Sequence, residues 1–228
     1  MINIINRIIS NLKKESFIID TQMPALYLIR LLLGKLRNTI YGFLIFPLRK
    51  RCMIHPSSVI RCRNKIQFGN NLSINRGCYI DALSVEGISL GVNVSIGKYT
   101  TIECSGTIQN IGKGLVVGNN VGLGTHGFFG CAGGVEIDDD TILGNYVSFH
   151  SENHNFSNPI VPIRLQGISR QGIKIGKNCW LGAKVTILDG VIIEKGCVIA
   201  AGSVVKKGIY QQNGIYAGIP AKLIKFRI

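Results

Sequence analysis

Four histidines, His55, His126, His150 and His154, are the side chains of this chain suited to accept a proton near neutral pH. A histidine working as a general base must lie within hydrogen-bond reach of the group it deprotonates, which demands a rigid mount. His150 and His154 share one segment, with Glu152 between them. That carboxylate can orient or charge-stabilise the His154 ring, or it can be an ordinary solvated loop acid. His126 stands just before the run Gly127–Gly134, where it can help bind an acceptor; His55 lies outside any such context. Metal chemistry is not expected. The seven cysteines contain no CxxC pair, and Asp138, Asp139 and Asp140 follow Ile137 in a turn, where acids are ordinary. Gly122–Gly127 has the GxGxxG spacing of a dinucleotide loop, but no helical pattern follows it and no βαβ unit surrounds it.

The mount is legible as an internal repeat. An aliphatic residue or Phe recurs every six positions in five runs: Phe68, Ile74 and Ile80; Leu90, Ile96, Ile102 and Ile108; Ile111, Val117 and Leu123; Ile137, Leu143 and Phe149; and Ile175, Leu181, Ile187, Ile193, Ile199 and Val205. Glycine often follows, as at Gly91, Gly97, Gly144 and Gly182. The fifth position of each hexad is small or β-branched, with Cys78, Thr100, Val121, Cys179, Val185 and Cys197 among its occupants. Such a unit makes one short strand and one turn. Three units close a triangular coil of eighteen residues, with the aliphatic inside, the small residue near the corner and glycine relieving the turn. Cysteines in the fifth slot are then core thiols. Trp180, the only tryptophan, precedes the inward Leu181 and so points outward. Two gaps interrupt the register: fourteen residues from Leu123 to Ile137, an excess of eight, and twenty-six from Phe149 to Ile175, an excess of twenty. The second, residues 150–174, is too long for a turn and is expected to project as an arm that carries function.

Four motifs then follow in order: Ser151–Phe156 (SENHNF), Asn178–Ala183 (NCWLGA), Ala200–Val205 (AAGSVV) and Ala217–Lys222 (AGIPAK). A His-bearing arm, clean hexads and a closing Ala-Gly-x-Pro, in that order, resemble the hexapeptide-repeat acetyltransferases over about residues 60–226. The likeness extends to polysaccharide and lipopolysaccharide O-acetyltransferases and to galactoside and maltose O-acetyltransferases. It implies an all-β fold, a left-handed parallel β-helix spanning residues 51–205, with an N-terminal basic helical segment (1–50) and a short basic C-terminal tail (206–228). It also implies a homotrimer with active sites between neighbouring subunits, acetyl-CoA as acyl donor, and a sugar hydroxyl, on a small molecule or glycan, as acceptor in cell-surface polysaccharide biosynthesis. By motif position His154 resembles the family's general base, with Glu152 beside it. Trp180 matches the residue near cofactor and acceptor, with His126 a further candidate for the acceptor. Backbone groups at Ala183 and Ala201, eighteen residues apart, match those that hold the pantetheine arm, and Lys207, Lys222 and Lys225 match those that meet the nucleotide phosphates. Ala200 stands where relatives often have glycine.

Acyl transfer to a hydroxyl needs a group to take its proton and a donor for the oxyanion. A thioester already carries a good leaving group, so direct attack in a ternary complex suffices. The same fold and donor would serve an N-acetyltransferase of an amino sugar or sugar nucleotide. A hexapeptide-repeat carbonic anhydrase would gather His126, His150 and His154 on one metal, but it leaves the cofactor hexads and the basic tail unexplained.

The net charge of +14 is concentrated at the ends: +7 in residues 1–51, +5 in 206–228 and only +2 between. Basic ends attract phosphates of a cofactor or a lipid surface; no nucleic-acid motif is present. Residues 21–48 read as a helix with Pro24 in its first turn and an apolar stripe of Leu26, Ile29, Leu33, Leu36, Ile40 and Phe43. Its longest charge-free stretch, Asn38–Leu48, is eleven residues, short of the roughly eighteen a bilayer needs. The helix is expected to pack on its own trimer or to lie on a membrane surface. Residues 1–20 lack the apolar core and cleavage site of a secretory leader, and the odd cysteine count fits a reducing compartment. The expected location is cytoplasmic, at the inner face of the membrane if the helix binds lipid. With 46% hydrophobic but only 7% aromatic residues, the core is expected to be filled by aliphatics.

Overall fold

The computed structural model describes residues 18–20, 22–47 and 51–228; residues 1–17, 21 and 48–50 of the expected N-terminal segment lie outside these. The described chain divides into two compact units between Arg37 and Asn38. From Cys52 onward it is a left-handed parallel β-helix of strands two to four residues long, ending in one five-residue strand. Three parallel sheets form its faces. The first includes Ile142–Leu143, Trp180–Leu181 and Val198–Ile199; the second Ser148–His150 and Thr186–Leu188; the third Ile173–Ile175 and Val191–Ile193. From Ile173 the coils tighten to eighteen residues, as Ile175 with Ile193, Trp180 with Val198 and Thr186 with Val204, and to seventeen at the end, as Val198 with Ile215. Earlier coils are longer: Cys52 pairs with Leu72, Ile66 with Ile88 and Ser89 with Val116.

The hexad aliphatics point inward, and the small fifth-slot residues are buried with them. Turn chemistry divides differently from the sequence expectation. The glycine after each aliphatic does not relieve the turn: Gly144 and Gly182 have no positive φ. They are needed because the next coil passes close by. A Cβ on Gly182 would lie 2.5 Å from the Ala201 nitrogen, and one on Gly144 2.6 Å from that of Ala183. The left-handed residue comes two positions later, as at Asn93, His126, Tyr146 and Lys184. On the corner between the third and first faces these residues are mostly Asn, whose short polar side chain tolerates that conformation. They form an external ladder: Asn71, Asn93 and Asn120 each donate from Nδ2 to the next Oδ1 at 2.9 Å, ending on Asp140. Asp139 is held below the usual carboxylate range, chiefly by the Asn119 N–H and then by Lys177 at 2.9 Å. The Asp139 and Asp140 carboxylates are thus occupied in turn contacts.

Several expectations of register need correction. Ile108 is 99% exposed and Ile111 lies outside the core; both belong to a hairpin, Gly106–Thr107 with Asn110–Ile111, that leaves the solenoid. Gly127–Gly134 is not an insertion, because Phe128–Gly130 is a strand of the second face and Phe129 fills the slot expected of an aliphatic. Phe129 stacks on Phe149 with centroids 4.9 Å apart, so rings occupy the core where aliphatics were expected. The tail is structured. Gly208–Tyr210 and Gly214–Ala217 continue the parallel pairing, and Lys222–Phe226 folds back antiparallel on the latter.

The helix runs Ala25–Ile45, and its stripe of Leu26, Ile29, Leu33, Leu36, Ile40 and Phe43 is exposed. No helix among the described residues is long and apolar enough to cross a membrane. Phe46, just past the helix, is buried edge-on against Phe68 at 5.0 Å and closes one end of the core. Tyr210 and Tyr216, edge to face at 4.9 Å, pack at the other. All seven cysteines are free, and every one except Cys62 is buried.

Candidate active site

The arm leaves the second face after His150 and returns at Ile173. Its root is fixed by buried polar groups. Ser151, fully buried, donates to the Gly130 carbonyl at 2.7 Å and accepts from the Gly133 N–H at 2.9 Å. Asp189, 2% exposed, accepts from the N–H groups of Gln171 and Gly172. Between these anchors Asn153–His154 and Ile168–Ser169 form a two-stranded antiparallel ribbon, Asn153 opposite Ser169 and His154 opposite Ile168. His154 is exposed and lines an open hollow with Asn153, Asn155, Phe156, Ser157, Gln166 and Ser169. Its ring has no hydrogen-bonding partner among the described residues, so both nitrogens are available. Glu152 makes no hydrogen bond or ion pair with that ring; its Oε2 accepts from Arg170 Nε at 3.0 Å.

The other histidines are engaged elsewhere. His150 ends a strand of the second face and lies against Phe128 at 5.5 Å; burial lowers its pKa from the ordinary 6.5. His126 stacks between Tyr99 and Tyr146 at 5.1 and 4.8 Å, leaving only its ring edge outward. His55 Nδ1 is a turn cap that accepts from the Ser57 N–H at 3.1 Å.

Trp180 stands on the outside of the first face, 56% exposed. Its register column runs through Val198 and Ile215 to Lys225 on the closing strand. Beside it, on the corner between first and second faces, one turn slot reads Arg76, Lys98, Thr125, Asn145, Ala183 and Ala201 up the coils. Thr125 N–H is capped by Asn145 Oδ1 at 3.2 Å. The N–H groups of Ala183 and Ala201 have no acceptor among the described residues, and both residues are exposed. Two N–H groups without acceptors thus stand at exposed small residues one coil apart, suited to a ligand carrying amide carbonyls. Lys207 packs against Gly190 on the corner that carries the arm, and Lys222 and Lys225 lie on the exposed closing strand.

A family model described as bacterial transferase hexapeptide (six repeats) matches residues 172–207. A putative lipopolysaccharide biosynthesis O-acetyl transferase of Escherichia coli K12 is 31% identical over 167 residues, 73% of this chain and 74% of that protein. The chain belongs to the hexapeptide-repeat acetyltransferases. A probable acetyltransferase of Mycobacterium tuberculosis is 31% identical over 100 residues, 44% of this chain but only 33% of that longer protein. Among solved structures, an N-acyltransferase from Bacillus cereus in complex with dTDP and coenzyme A shares the fold, with TM-score 0.52 and 22% identity over 78% of this chain and 82% of that one.

In this acetyltransferase one chain does not gather the expected site. The hollow around His154 contains none of Trp180, Ala183, Ala201, Lys222 and Lys225. The arm springs from the corner after the second face, whereas Trp180 and the two alanines lie on the first face and the corner that follows it. Hexad spacing singles out neither Arg170 nor the hairpin it touches, and it is the ribbon register, Asn153 opposite Ser169, that brings Arg170 to Glu152.

Proposed function

We propose that the chain transfers the acetyl group of acetyl-CoA to a sugar hydroxyl, in the assembly of a cell-surface polysaccharide. The carrying observation is His154: a ring with both nitrogens unengaged, on a ribbon whose root is fixed by buried Ser151 and Asp189. The O-acetyl transferase likeness across three quarters of the chain supports the hydroxyl acceptor. Ala183 and Ala201 fit the donor, offering N–H groups to the pantetheine amides, while Lys207, Lys222 and Lys225 offer charge to the nucleotide phosphates.

In this reading the acceptor O–H proton passes to a His154 nitrogen as the oxygen attacks the thioester carbon. Collapse of the tetrahedral species breaks the C–S bond, and the departing sulfur takes the proton back from the imidazolium. Glu152 acts on the arm through Arg170 rather than on the ring. The site is completed by a second copy of the chain, and the helix stripe with Arg30, Lys35 and Arg37 rests on lipid. Incubation with labelled acetyl-CoA and a panel of glycosides and amino sugars tests the chemistry. Label in an alkali-labile ester is the expected product; label in an alkali-stable amide would assign the chain to amine acylation instead.

A further inference from the structure

Two segments leave the solenoid at the same corner, between the second and third faces: the hairpin at Gly106–Ile111 and the arm. One tight coil, through Cys131–Gly134, separates them. Arg170 joins the two. Its guanidinium donates from Nε to Glu152 Oε2 at 3.0 Å, from Nη1 to Asn110 Oδ1 at 2.9 Å and the Ile111 carbonyl at 3.3 Å, and from Nη2 to the Asn110 carbonyl at 3.1 Å. The side chain is only 15% exposed. Its seat is shaped for it: Gly106 has φ +61°, and a Cβ there would lie 2.5 Å from Arg170 Nη2. Asn110 is itself fixed, its N–H donating to Thr107 Oγ1 at 3.1 Å.

The place of this contact in the ribbon matters. Asn153 faces Ser169 and His154 faces Ile168, so the next pair toward the root is Glu152 with Arg170. Side chains alternate along a strand, so the 152/170 and 154/168 pairs share one face of the ribbon. A two-stranded ribbon alone is marginal in water. Here its face is tied, two residues from His154, to a second hairpin rooted in the solenoid. A lysine could not repeat this, because the contact needs the planar fork to reach four acceptor groups on three residues.

We propose that Arg170 is a positioning residue: with Asn110 as its anchor, it sets the aim of His154 toward the acceptor. The inference rests on His154 being the base. A small misplacement of a catalytic group costs up to about a hundredfold in rate. Arg170→Gln in the full-length protein should lower kcat at least about tenfold for release of free thiol from acetyl-CoA, with water as the acceptor in every assay. KM for acetyl-CoA should stay unchanged. Arg170→Lys should rescue little, and Asn110→Ala, a milder cut at the far end, should show the same kcat-only loss. Hydrogen exchange should quicken at Asn153–His154 and Ile168–Ser169 while the core amides keep their protection. In a His154→Ala background, Arg170→Gln should add nothing further. An equal loss in both backgrounds, full rescue by lysine, or unchanged exchange in the ribbon overturns the positioning role while leaving His154 as the base. A fully active His154→Ala protein overturns the base assignment, and this inference falls with it.

Discussion

At the scale of single residues, His154 and His150 stand four positions apart in different circumstances. His154 has an unengaged ring beside an open hollow, whereas His150 lies against Phe128 on the side of the solenoid. Removing a general base typically costs 10²- to 10⁴-fold in rate. His154→Ala should therefore lower kcat at least about a hundredfold with the fold and CoA binding retained, while His150→Ala costs much less. The reverse order, measured on purified proteins, would move the base to His150. His150 does have a thermodynamic signature. Its folded pKa lies below the ordinary 6.5, so the unfolded chain binds its proton more readily. Its contribution is present above that value and is lost as pH falls toward the folded pKa. Thermal unfolding should accordingly show His150→Gln losing less stability than the parent as pH falls below about 6.5. At the closing strand, Lys222→Glu should raise the KM for acetyl-CoA, with an effect that shrinks as salt screens the charge. An unchanged KM would make Lys222 a solubilising charge.

At the scale of elements, the hexads were legible because each repeats one physical demand, an inward aliphatic and a small corner residue, and Ile175–Val205 meets it six times without interruption. Register failed where the demand was met by other means. Phe129 replaced an aliphatic because Phe149 stacks on it in the next coil, and Ile108 kept the spacing by coincidence in a hairpin. The arm was visible from its length, but its root was not. Ser151, Asp189 and Arg170 act through contacts seventeen to sixty residues distant, which no local period encodes. The helix Ala25–Ile45 was legible as a helix but not in its partner. Its apolar stripe is exposed, and Arg30, Lys35 and Arg37 carry its only charges. An apolar face beside basic residues favours an anionic bilayer surface. Full-length protein should float with phosphatidylglycerol vesicles and a chain lacking residues 1–45 should not; a full-length protein that never floats would assign the stripe to protein packing.

At the scale of the whole molecule, one chain separates what the proposed chemistry must unite. His154 projects from the corner after the second face, while the free N–H groups of Ala183 and Ala201 stand on the corner before it. The arm beyond His154 also exposes Phe156, Ile160, Ile163 and Leu165, side chains that isolated protein surface does not favour. Both observations are met if the arm of one chain rests beside the donor strip of the next. A contact between unlike surfaces closes into a ring when its rotation allows, and a three-sided prism suits three copies. Light scattering should give three chains of 24.9 kDa each. Subunit mixing is the sharper measurement. His154→Ala removes the base from one side of each interface, and Ala201→Trp fills the donor strip on the other. Each homotrimer should be inactive. In randomly reassembled equimolar mixtures an interface is intact only when the arm comes from an Ala201→Trp chain and the strip from a His154→Ala chain, about one interface in four for such a closed ring. Recovery near a quarter of the parent activity is expected, whereas a mixture as inactive as its components would mean that each chain builds its site alone.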